Sequence, residues 1–555
     1  MNKTIALTLL KNFIERYGNP EQGILTPLEL EAFHFLIADD NSPDDKLVSS
    51  QDKPTLPPIP KENITSNKRS SYTEITLNMN SLYYKEDSTD DILMCLDFGT
   101  AFSKACIRQN RELIDLPLGE TAGATGYILP SSVYISNNGK IYVGSKAIEI
   151  SEFQDEKNAR IDSMKEYISL QGNQSLERPV PESHNSFYQE CPLTQKDILI
   201  FYLAYLTDIT GICLQNKNFS RYTKRRFSHP CWRQDKYMWA CDTMKAMLAQ
   251  SLLLADTLSG QWDEGIDIHL FRHLIDEIKR KDQDELPLHI IAEAVAEPVA
   301  VASPIFDLTE NRRDILMVID VGAGTTDFGL FLCTSDSDGT PHVHVLQDSI
   351  ESFSQAGDAV DRLLRQYIVD NEHLNDVDTY SDIIKISLSK KIREYKELLF
   401  KNEFVEYVLA DNKSGTVYIN DFVNHQQFQN LSQSIRKRFH AIFKRIDKSW
   451  LKFFAQQGNR INVLLTGGSS GLPIFKELQN EIIEILNDKI PLKIKCVPYD
   501  IQKTEFWETI PESLIDVYSQ LAVALGGTSR DLPKEMSEAP RIVPFGAAPR
   551  QLERY

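Results

Sequence analysis

Three short segments constrain the fold of this 555-residue chain most strongly, because each joins an apolar run to a glycine-rich turn. The first two share one pattern, in which the run ends in Asp and an apolar return run follows the turn: ILMCLDFGTAFSKACI (92–107) and ILMVIDVGAGTTDFGLFL (315–332). Short apolar runs bounded by turn residues are typical of buried strands. The repeated pattern predicts an α/β protein with two related strand–turn–strand units, as a duplication would produce.

The turns of these two units carry chemistry that suits a polyphosphate. An acidic residue that closes an apolar strand is costly unless it has a partner, and we expect Asp97 and Asp320 to approach Mg²⁺ through water. Backbone N–H groups of glycine turns and threonine hydroxyls bind phosphate oxygens. The phosphate-binding candidates are Gly99, Thr100, Ala101, Gly322, Ala323, Gly324, Thr325 and Thr326. Two facing turns of this kind could clamp one polyphosphate.

A third turn, TGGSSG at 466–471, lacks an acid and therefore suits the uncharged adenosine half of a nucleotide. Its candidate contacts are Gly467, Gly468 and Ser469. The residues that follow it, up to 486, predict a helix, as do residues 230–256. Residues 289–302 predict a strand that leads into a helix at Pro298.

Composition narrows the classes of partner. The formal net charge is −19, and this excess repels nucleic acid and anionic lipid, so we expect neither partner. The eight cysteines are scattered without a CxxC pair, which indicates reduced thiols. No signal peptide is predicted, and no apolar stretch approaches the roughly 20 residues of a spanning helix. The expected location is the cytoplasm.

The chain divides into four predicted regions. Residues 1–38 have helical periodicity, and 39–90 form a predicted linker rich in Pro, Ser and charge, a composition that favours flexibility. Residues 91–530 form the main α/β domain, and 531–555 are a flexible or docking tail.

The motifs resemble those of a known superfamily. DFGTAFSKA (97–105), DVGAGTTDFGLF (320–331) and LTGGSSGLP (465–473) resemble the phosphate-1, phosphate-2 and adenosine motifs of the actin-like ATPases, which include sugar kinases and heat-shock chaperones. AEPVAVA (296–302), QAGDAVDRLL (355–364) and LAVALGG (521–527) are similar to motifs of the DnaK-type, 70-kDa heat-shock protein family. The resemblance covers about 91–530, and 170–288 match poorly.

The resemblance implies a two-lobed fold with a ribonuclease-H-like mixed sheet in each lobe. Lobe I would span about 91–313 with 514–530, and lobe II about 314–513, behind a small helical N-terminal extension. ATP or ADP with Mg²⁺ would bind in the cleft between the lobes.

The resemblance also implies roles for individual residues. Asp97 and Asp320 would hold the metal from two sides through water, and Asp320 would help position the attacking water. Glu297 would orient that water, and Thr325 would assist catalysis. Gly357 and Lys396 would contact the nucleotide, with Lys396 near adenine and ribose.

Two departures from the family limit what the resemblance implies. The family's catalytic lysine follows a VG dipeptide, but in IYVGSKAIE (141–149) the best register places Ile148 there and Lys146 two residues earlier. Lys146 is therefore the candidate lysine, or the role is lost. After Gly527 only 28 residues remain, too few for the peptide-binding domain of these chaperones.

The functional expectation is an ATPase that converts ATP and water to ADP and phosphate. Its nucleotide-driven lobe movement would switch a partner protein, reached through the N-terminal extension or the lobes. Two alternatives stay open: a nucleotide-sensing scaffold with little turnover, and a small-molecule kinase of the same superfamily. The sequence leaves the oligomeric state open.

Overall fold

A computed structural model describes residues 75–85, 92–153, 159–169, 176–180, 192–306, 315–335, 341–374, 379–456, 459–487 and 490–535. The chain divides into two compact units, 1–67 and 68–555, and every described residue belongs to the second. The predicted helical segment 1–38 lies outside the described residues, as do the predicted linker apart from 75–85 and the predicted tail beyond 535.

Strands and helices alternate along the described residues, which confirms the predicted α/β class. The strands are β1 (Ile92–Asp97), β2 (Phe102–Gln109), β3 (Glu112–Asp115), β4 (Leu129–Pro130), β5 (Val133–Ile135), β6 (Lys140–Val143), β7 (Arg225–His229), β8 (Ile266–Asp267), β9 (Ile291–Ala296), β10 (Ile315–Val321), β11 (Thr326–Ser335), β12 (Pro341–Phe353), β13 (Phe404–Val408), β14 (Ser414–Tyr418), β15 (Ile461–Thr466), β16 (Ile482–Asn487), β17 (Ile490–Pro498) and β18 (Lys534–Glu535). The helices are α1 (Asn80–Tyr83), α2 (Leu118–Thr121), α3 (Gly144–Phe153), α4 (Glu166–Ser169), α5 (Gln195–Asn216), α6 (Gln234–Leu258), α7 (Ile268–Ile278), α8 (Glu297–Phe306), α9 (Gly357–Asn371), α10 (Thr379–Asn402), α11 (Ile419–Asn424), α12 (Gln426–Arg445), α13 (Lys448–Phe454), α14 (Pro473–Lys476), α15 (Glu505–Glu508) and α16 (Tyr518–Gly526).

Two mixed sheets organise the fold. The first has the order β3-β2-β1-β7-β9, and the second has the order β16-β17-β15-β10-β11-β12-β18. In the first, β1 is antiparallel to β2 and parallel to β7, which is parallel to β9. In the second, β10 is antiparallel to β11 and parallel to β15, which is parallel to β17.

The two sheets therefore repeat one arrangement over five strands. The path β3-β2-β1-β7-β9 corresponds in order and strand sense to β12-β11-β10-β15-β17. The two predicted strand–turn–strand units are confirmed as the antiparallel hairpins β1–β2 and β10–β11, at equivalent places in the two sheets.

Helices α8 and α16 pack between the two sheets. A hydrophobic cluster joins Cys95 of the first sheet and Phe331 of the second to Val301 of α8 and Leu521 of α16. The two helices approach closely at Gly526, where an added Cβ atom would stand 1.9 Å from the carbonyl oxygen of Ala300. Only glycine allows this contact between the helices without a shift of the main chain.

The predicted helix after the third turn is wrong in its second half. The segment begins with the short helix α14, but residues 482–487 form strand β16, which pairs antiparallel with β17. Buried and exposed side chains alternate in this segment. Ile483 is buried in the hydrophobic cluster of the second sheet, whereas Ile482 and Leu486 are exposed. A period of two with β-branched residues favours a strand over a helix.

Helix α5 corrects the expectation that no stretch is long enough to span a membrane. By length and composition alone this 22-residue helix could cross one, but 94% of its most apolar window is buried within the structure. Core helices of soluble proteins pass the same test. A capping box begins the helix, in which Thr194 and Asp197 each accept the other's backbone N–H.

The described part of the predicted linker packs on the main unit. The backbone N–H of Ser81 donates to Asp256 of α6 at 3.2 Å, and Met79 packs against a small cluster that contains Leu253. Residues 75–85 are therefore held by α6 through both polar and apolar contacts.

Candidate functional site

A cavity of about 490 Å³ lies where β1, β10 and β15 end, and it is lined by the three glycine-rich turns. Helix α10 lines it as well, through residues that include Arg393 and Phe400. The predicted site residues that line the cavity are Asp97, Gly99, Thr100, Ala101, Glu297, Asp320, Gly322, Ala323, Thr325, Lys396, Gly467, Gly468 and Ser469. Segments more than 360 residues apart in sequence thus meet at one place.

Three other predicted residues lie directly behind this lining. An added Cβ at Gly324 would stand 2.8 Å from Oγ1 of Thr100, so the turns of the two hairpins touch. An added Cβ at Gly357 would stand 2.4 Å from Oγ of Ser469. Thr326 is fully buried and donates its hydroxyl to a backbone carbonyl. These residues fix the spacing of the turns.

Lys146, the candidate catalytic lysine, does not line the cavity. Lys146 is partly exposed outside the cavity lining, and its ammonium pairs with Glu149 at 2.9 Å. The cavity is lined instead by Lys165, which is 6% exposed and donates to Oε1 of Glu297 at 2.7 Å. No local motif marks Lys165. A cation near the site could be expected from the sequence only because buried carboxylates require one nearby.

Asp97 is held in its ionised form. Burial alone would raise the pKa of this carboxyl, but Lys104, Lys165 and a hydrogen bond from Ser228 together hold the pKa below its usual value. Lys104 lies 3.0 Å from Oδ2, and the Ser228 hydroxyl donates to Oδ1 at 2.8 Å. Neither Lys104 nor Ser228 was among the predicted site residues.

Asp320 has the opposite electrostatic setting. Burial, with repulsion from Glu297 and Asp97, raises the pKa of its carboxyl to about 7. Its one side-chain hydrogen bond among the described residues comes from the hydroxyl of Thr466, at 2.9 Å. The carboxyl therefore changes charge near neutral pH.

A further buried carboxyl, Asp327, lies opposite Asp320 in the β10–β11 register. Its Oδ1 accepts the backbone N–H of Cys231 at 2.6 Å. Burial and the charge of Glu297 raise the pKa of Asp327 to about 8. Asp327 stands in the second motif but was not among the predicted site residues.

Lys396 lines the cavity but has a partner already. It is 7% exposed, and its ammonium lies 2.9 Å from Asp361 of α9 and 3.3 Å from the carbonyl oxygen of Gly357. These contacts tie α10 to the start of α9. Any contact of Lys396 with a ligand would have to share this ammonium.

The carboxylates fit a hydrated magnesium ion. Among the described residues no group of three acidic, His or Cys side chains is placed to hold a metal ion directly. Carboxylate oxygens are nevertheless the protein ligands that Mg²⁺ prefers, and the ion usually keeps several waters. Asp97 and Asp320 are close enough that the charge of Asp97 raises the pKa of Asp320. A bound cation would relieve this repulsion between the two carboxylates.

His229 lies beside the site, at the end of β7. Its ring stacks on Trp232 with centroids 4.7 Å apart, and Nδ1 is 2.7 Å from the carbonyl oxygen of Pro230. Burial, together with the charge of Lys165, lowers the pKa of His229 to about 4. The ring is therefore neutral over the physiological range.

This low pKa predicts acid sensitivity. The unfolded chain binds a proton on His229 at about pH 6.5, so stability is lost as pH falls from there toward 4. Between pH 8 and pH 5 we expect the free energy of unfolding to fall by about 2 kcal/mol less in His229→Gln than in the wild type. Urea unfolding at the two pH values measures this difference. His269→Gln is the control, and equal pH dependence in His229→Gln and the wild type would contradict the assignment.

No model of a known protein family matches this chain. The fold and the cavity together define a mixed α/β protein in which two similarly ordered mixed sheets contribute turns to one polar, carboxylate-rich cavity.

Proposed function

We propose that this protein binds and hydrolyses ATP as an actin-like ATPase of the heat-shock chaperone type. In this proposal each mixed sheet is the core of a ribonuclease-H-like lobe, one comprising 91–313 with 514–530 and the other 314–513. The shared order of five strands supports two lobes of common origin. The packing of α8 and α16 between the sheets supports a connection at which the lobes could move.

The observation that carries the proposal is the convergence of three glycine-rich turns, four carboxylates and two buried lysines on one cavity. Turn N–H groups and the Thr100 hydroxyl suit phosphate oxygens. The third turn, with Gly467 and Gly468, leaves room for the nucleoside because an added Cβ at Gly468 would meet no atom within 4 Å. The volume of about 490 Å³ suits a nucleotide-sized ligand.

The polar side chains then have distinct tasks in hydrolysis. Glu297 orients the attacking water, and Asp320, which is close enough to Glu297 for the two carboxyls to repel each other, helps to position that water. Lys165 offsets the charge of the terminal phosphate. Magnesium bound through water to Asp97 and Asp320 would supply further neutralisation of the phosphates.

Nucleotide binding and hydrolysis would move segments of the protein. Lys165 pairs with Glu297 at 2.7 Å, so a phosphate that attracts the ammonium must compete with this contact. Lys165 and Glu297 are separated by more than 130 residues, and a change in their pairing would shift the segments that carry them. A partner protein bound to the lobes or to the N-terminal extension would sense such a shift.

The same ion pair favours a second candidate function, a nucleotide-sensing scaffold with little turnover. While Lys165 and Glu297 neutralise each other at 2.7 Å, neither is free for chemistry. If binding does not separate them, nucleotide would change the shape of the protein without being hydrolysed. A small-molecule kinase, the third alternative, would require a phosphate acceptor in addition.

Glu297→Gln tests these candidates. We expect Mg-ATP to raise the melting temperature of the wild type and of the variant, because bound ligand stabilises the folded state. Phosphate release should fall at least about 100-fold in the variant, since it loses the group that orients water.

Three readouts separate the alternatives. A melting shift without phosphate release in the wild type would favour the scaffold. Transfer of phosphate to a sugar or metabolite panel would favour the kinase. The absence of any melting shift with Mg-ATP would refute nucleotide binding altogether.

A further inference from the structure

A second cavity, of about 370 Å³, shares a wall with the first. Phe102, Arg393 and Glu397 line both cavities. Residues 148–152 and 160–166 lie on one side of the second cavity, and helices α9 and α10 lie on the other. Contacts cross beside it, including a hydrogen bond from Ser163 to Asp358 at 3.0 Å. None of the predicted nucleotide contacts lines this cavity.

Two of the five basic side chains that line this cavity already form ion pairs. Arg160 pairs with Asp162 at 2.7 Å, and Arg393 pairs with Asp358 at 3.3 Å. Arg393 also lies over the ring of Phe102 at 5.9 Å. These contacts stabilise the wall of the cavity and leave Arg160 and Arg393 with partners.

Two guanidinium groups are not neutralised. Arg362 and Arg365 lie one turn apart on α9, and both line the cavity. Neither forms an ion pair with a carboxylate of the described residues. Within the described part of the chain, Arg365 donates to the hydroxyl of Ser389, at 2.9 Å. Burial and the neighbouring charge of Arg362 lower the pKa of Arg365. Seven carboxyl side chains also line this cavity, but none of the described ones is paired directly with Arg362 or Arg365.

The carboxyl that faces this pair is a poor counter-ion. Glu166 lines the same cavity, and burial together with Asp358 raises its pKa to about 7. It therefore carries only part of a negative charge at neutral pH. When it is protonated, the Glu166 carboxyl can both donate and accept hydrogen bonds. Glu152 and Glu394 also line the cavity, and their carboxylates can accept hydrogen bonds from hydroxyl groups.

We propose that the second cavity binds a small hydroxylated oxyanion, an organic phosphate or carboxylate, through Arg362 and Arg365. Paired guanidinium groups match phosphate and carboxylate oxygens by bidentate hydrogen bonds. The carboxyl groups opposite accept hydrogen bonds from the ligand's hydroxyls. This site is independent of the proposed ATPase activity and stands or falls separately.

The experiment measures binding to the full chain by calorimetry with three probes: inorganic phosphate, glycerol 3-phosphate and glycerate. We expect at least one glycerol-based probe to bind more tightly than phosphate. Arg362→Ala/Arg365→Ala should weaken that binding at least tenfold. Arg362→Lys/Arg365→Lys should weaken it less, because lysine keeps the positive charge although it lacks the bidentate fork. Tighter binding of glycerol 3-phosphate identifies a phosphoryl ligand, and tighter binding of glycerate a carboxylate.

Arg233→Ala is the control, because this arginine is 75% exposed and lies outside both cavity linings. It should bind the probes as the wild type does. If the double alanine variant is unstable, Arg362→Ala alone, at an exposed side chain, serves instead. Unchanged affinity in these variants, or no binding of any probe to the wild type, would overturn the proposal.

Discussion

Lys165→Met is expected to destabilise the protein by about 3 kcal/mol and to abolish measurable ATP hydrolysis. The substitution leaves Glu297 as a buried carboxylate without its partner at 2.7 Å, and breaking a buried pair on one side costs several kcal/mol. Adding Glu297→Gln should recover most of the stability, because both charges are then gone. Hydrolysis should stay absent in the double variant. Urea unfolding and phosphate release measure the two effects.

Lys146→Met is the matched control, since it removes a lysine whose pair with Glu149 is exposed. Exposed pairs contribute little, so stability should change by less than about 0.5 kcal/mol and phosphate release should not change. If Lys146→Met stopped hydrolysis and Lys165→Met did not, the site would have to be reassigned to the lysine that the sequence indicated.

Gly526→Ala is expected to destabilise the fold by at least about 3 kcal/mol. Its new methyl group would stand 1.9 Å from the Ala300 carbonyl oxygen, and the main chains of α8 and α16 would have to separate. Because these helices contact both sheets, we expect loss of cooperative unfolding as well as a lower melting temperature. Circular dichroism during thermal unfolding measures both.

Gly471→Ala provides the comparison, because an added Cβ there meets no atom within 4 Å. It should melt within a few degrees of the wild type. A Gly526→Ala protein as stable as Gly471→Ala would mean that the two helices do not meet as closely as the structure indicates.

The sequence was most informative where local pattern and fold agree. The two Asp-terminated runs predicted the hairpins β1–β2 and β10–β11 because their apolar strands and glycine turns are contiguous in the chain. The convergence of their turns with the loop at 466–471 came from a resemblance. Periodicity gives no distance between segments so far apart.

The sequence was least informative where chemistry depends on long-range contacts. Lys165 stands in a segment without a motif, and its proximity to Glu297 exists only in three dimensions. The same applies to Ser228 and its hydrogen bond to Asp97. Strand β16 was missed because a run that contains Ile and Glu satisfies a helical period over a few residues, whereas its pairing with β17 decides the structure.

The repeated hairpins carry opposite charges at one equivalent position. In the strand registers Lys104 faces Asp97, whereas Asp327 faces Asp320. The first hairpin is thus electrically balanced at any physiological pH, while the second takes up or gives off protons near neutrality because its two carboxyls have pKa values of about 7 and about 8. A cation that binds between the hairpins would displace protons from the carboxyls of the second hairpin alone. The affinity for the cation would therefore be higher at alkaline pH.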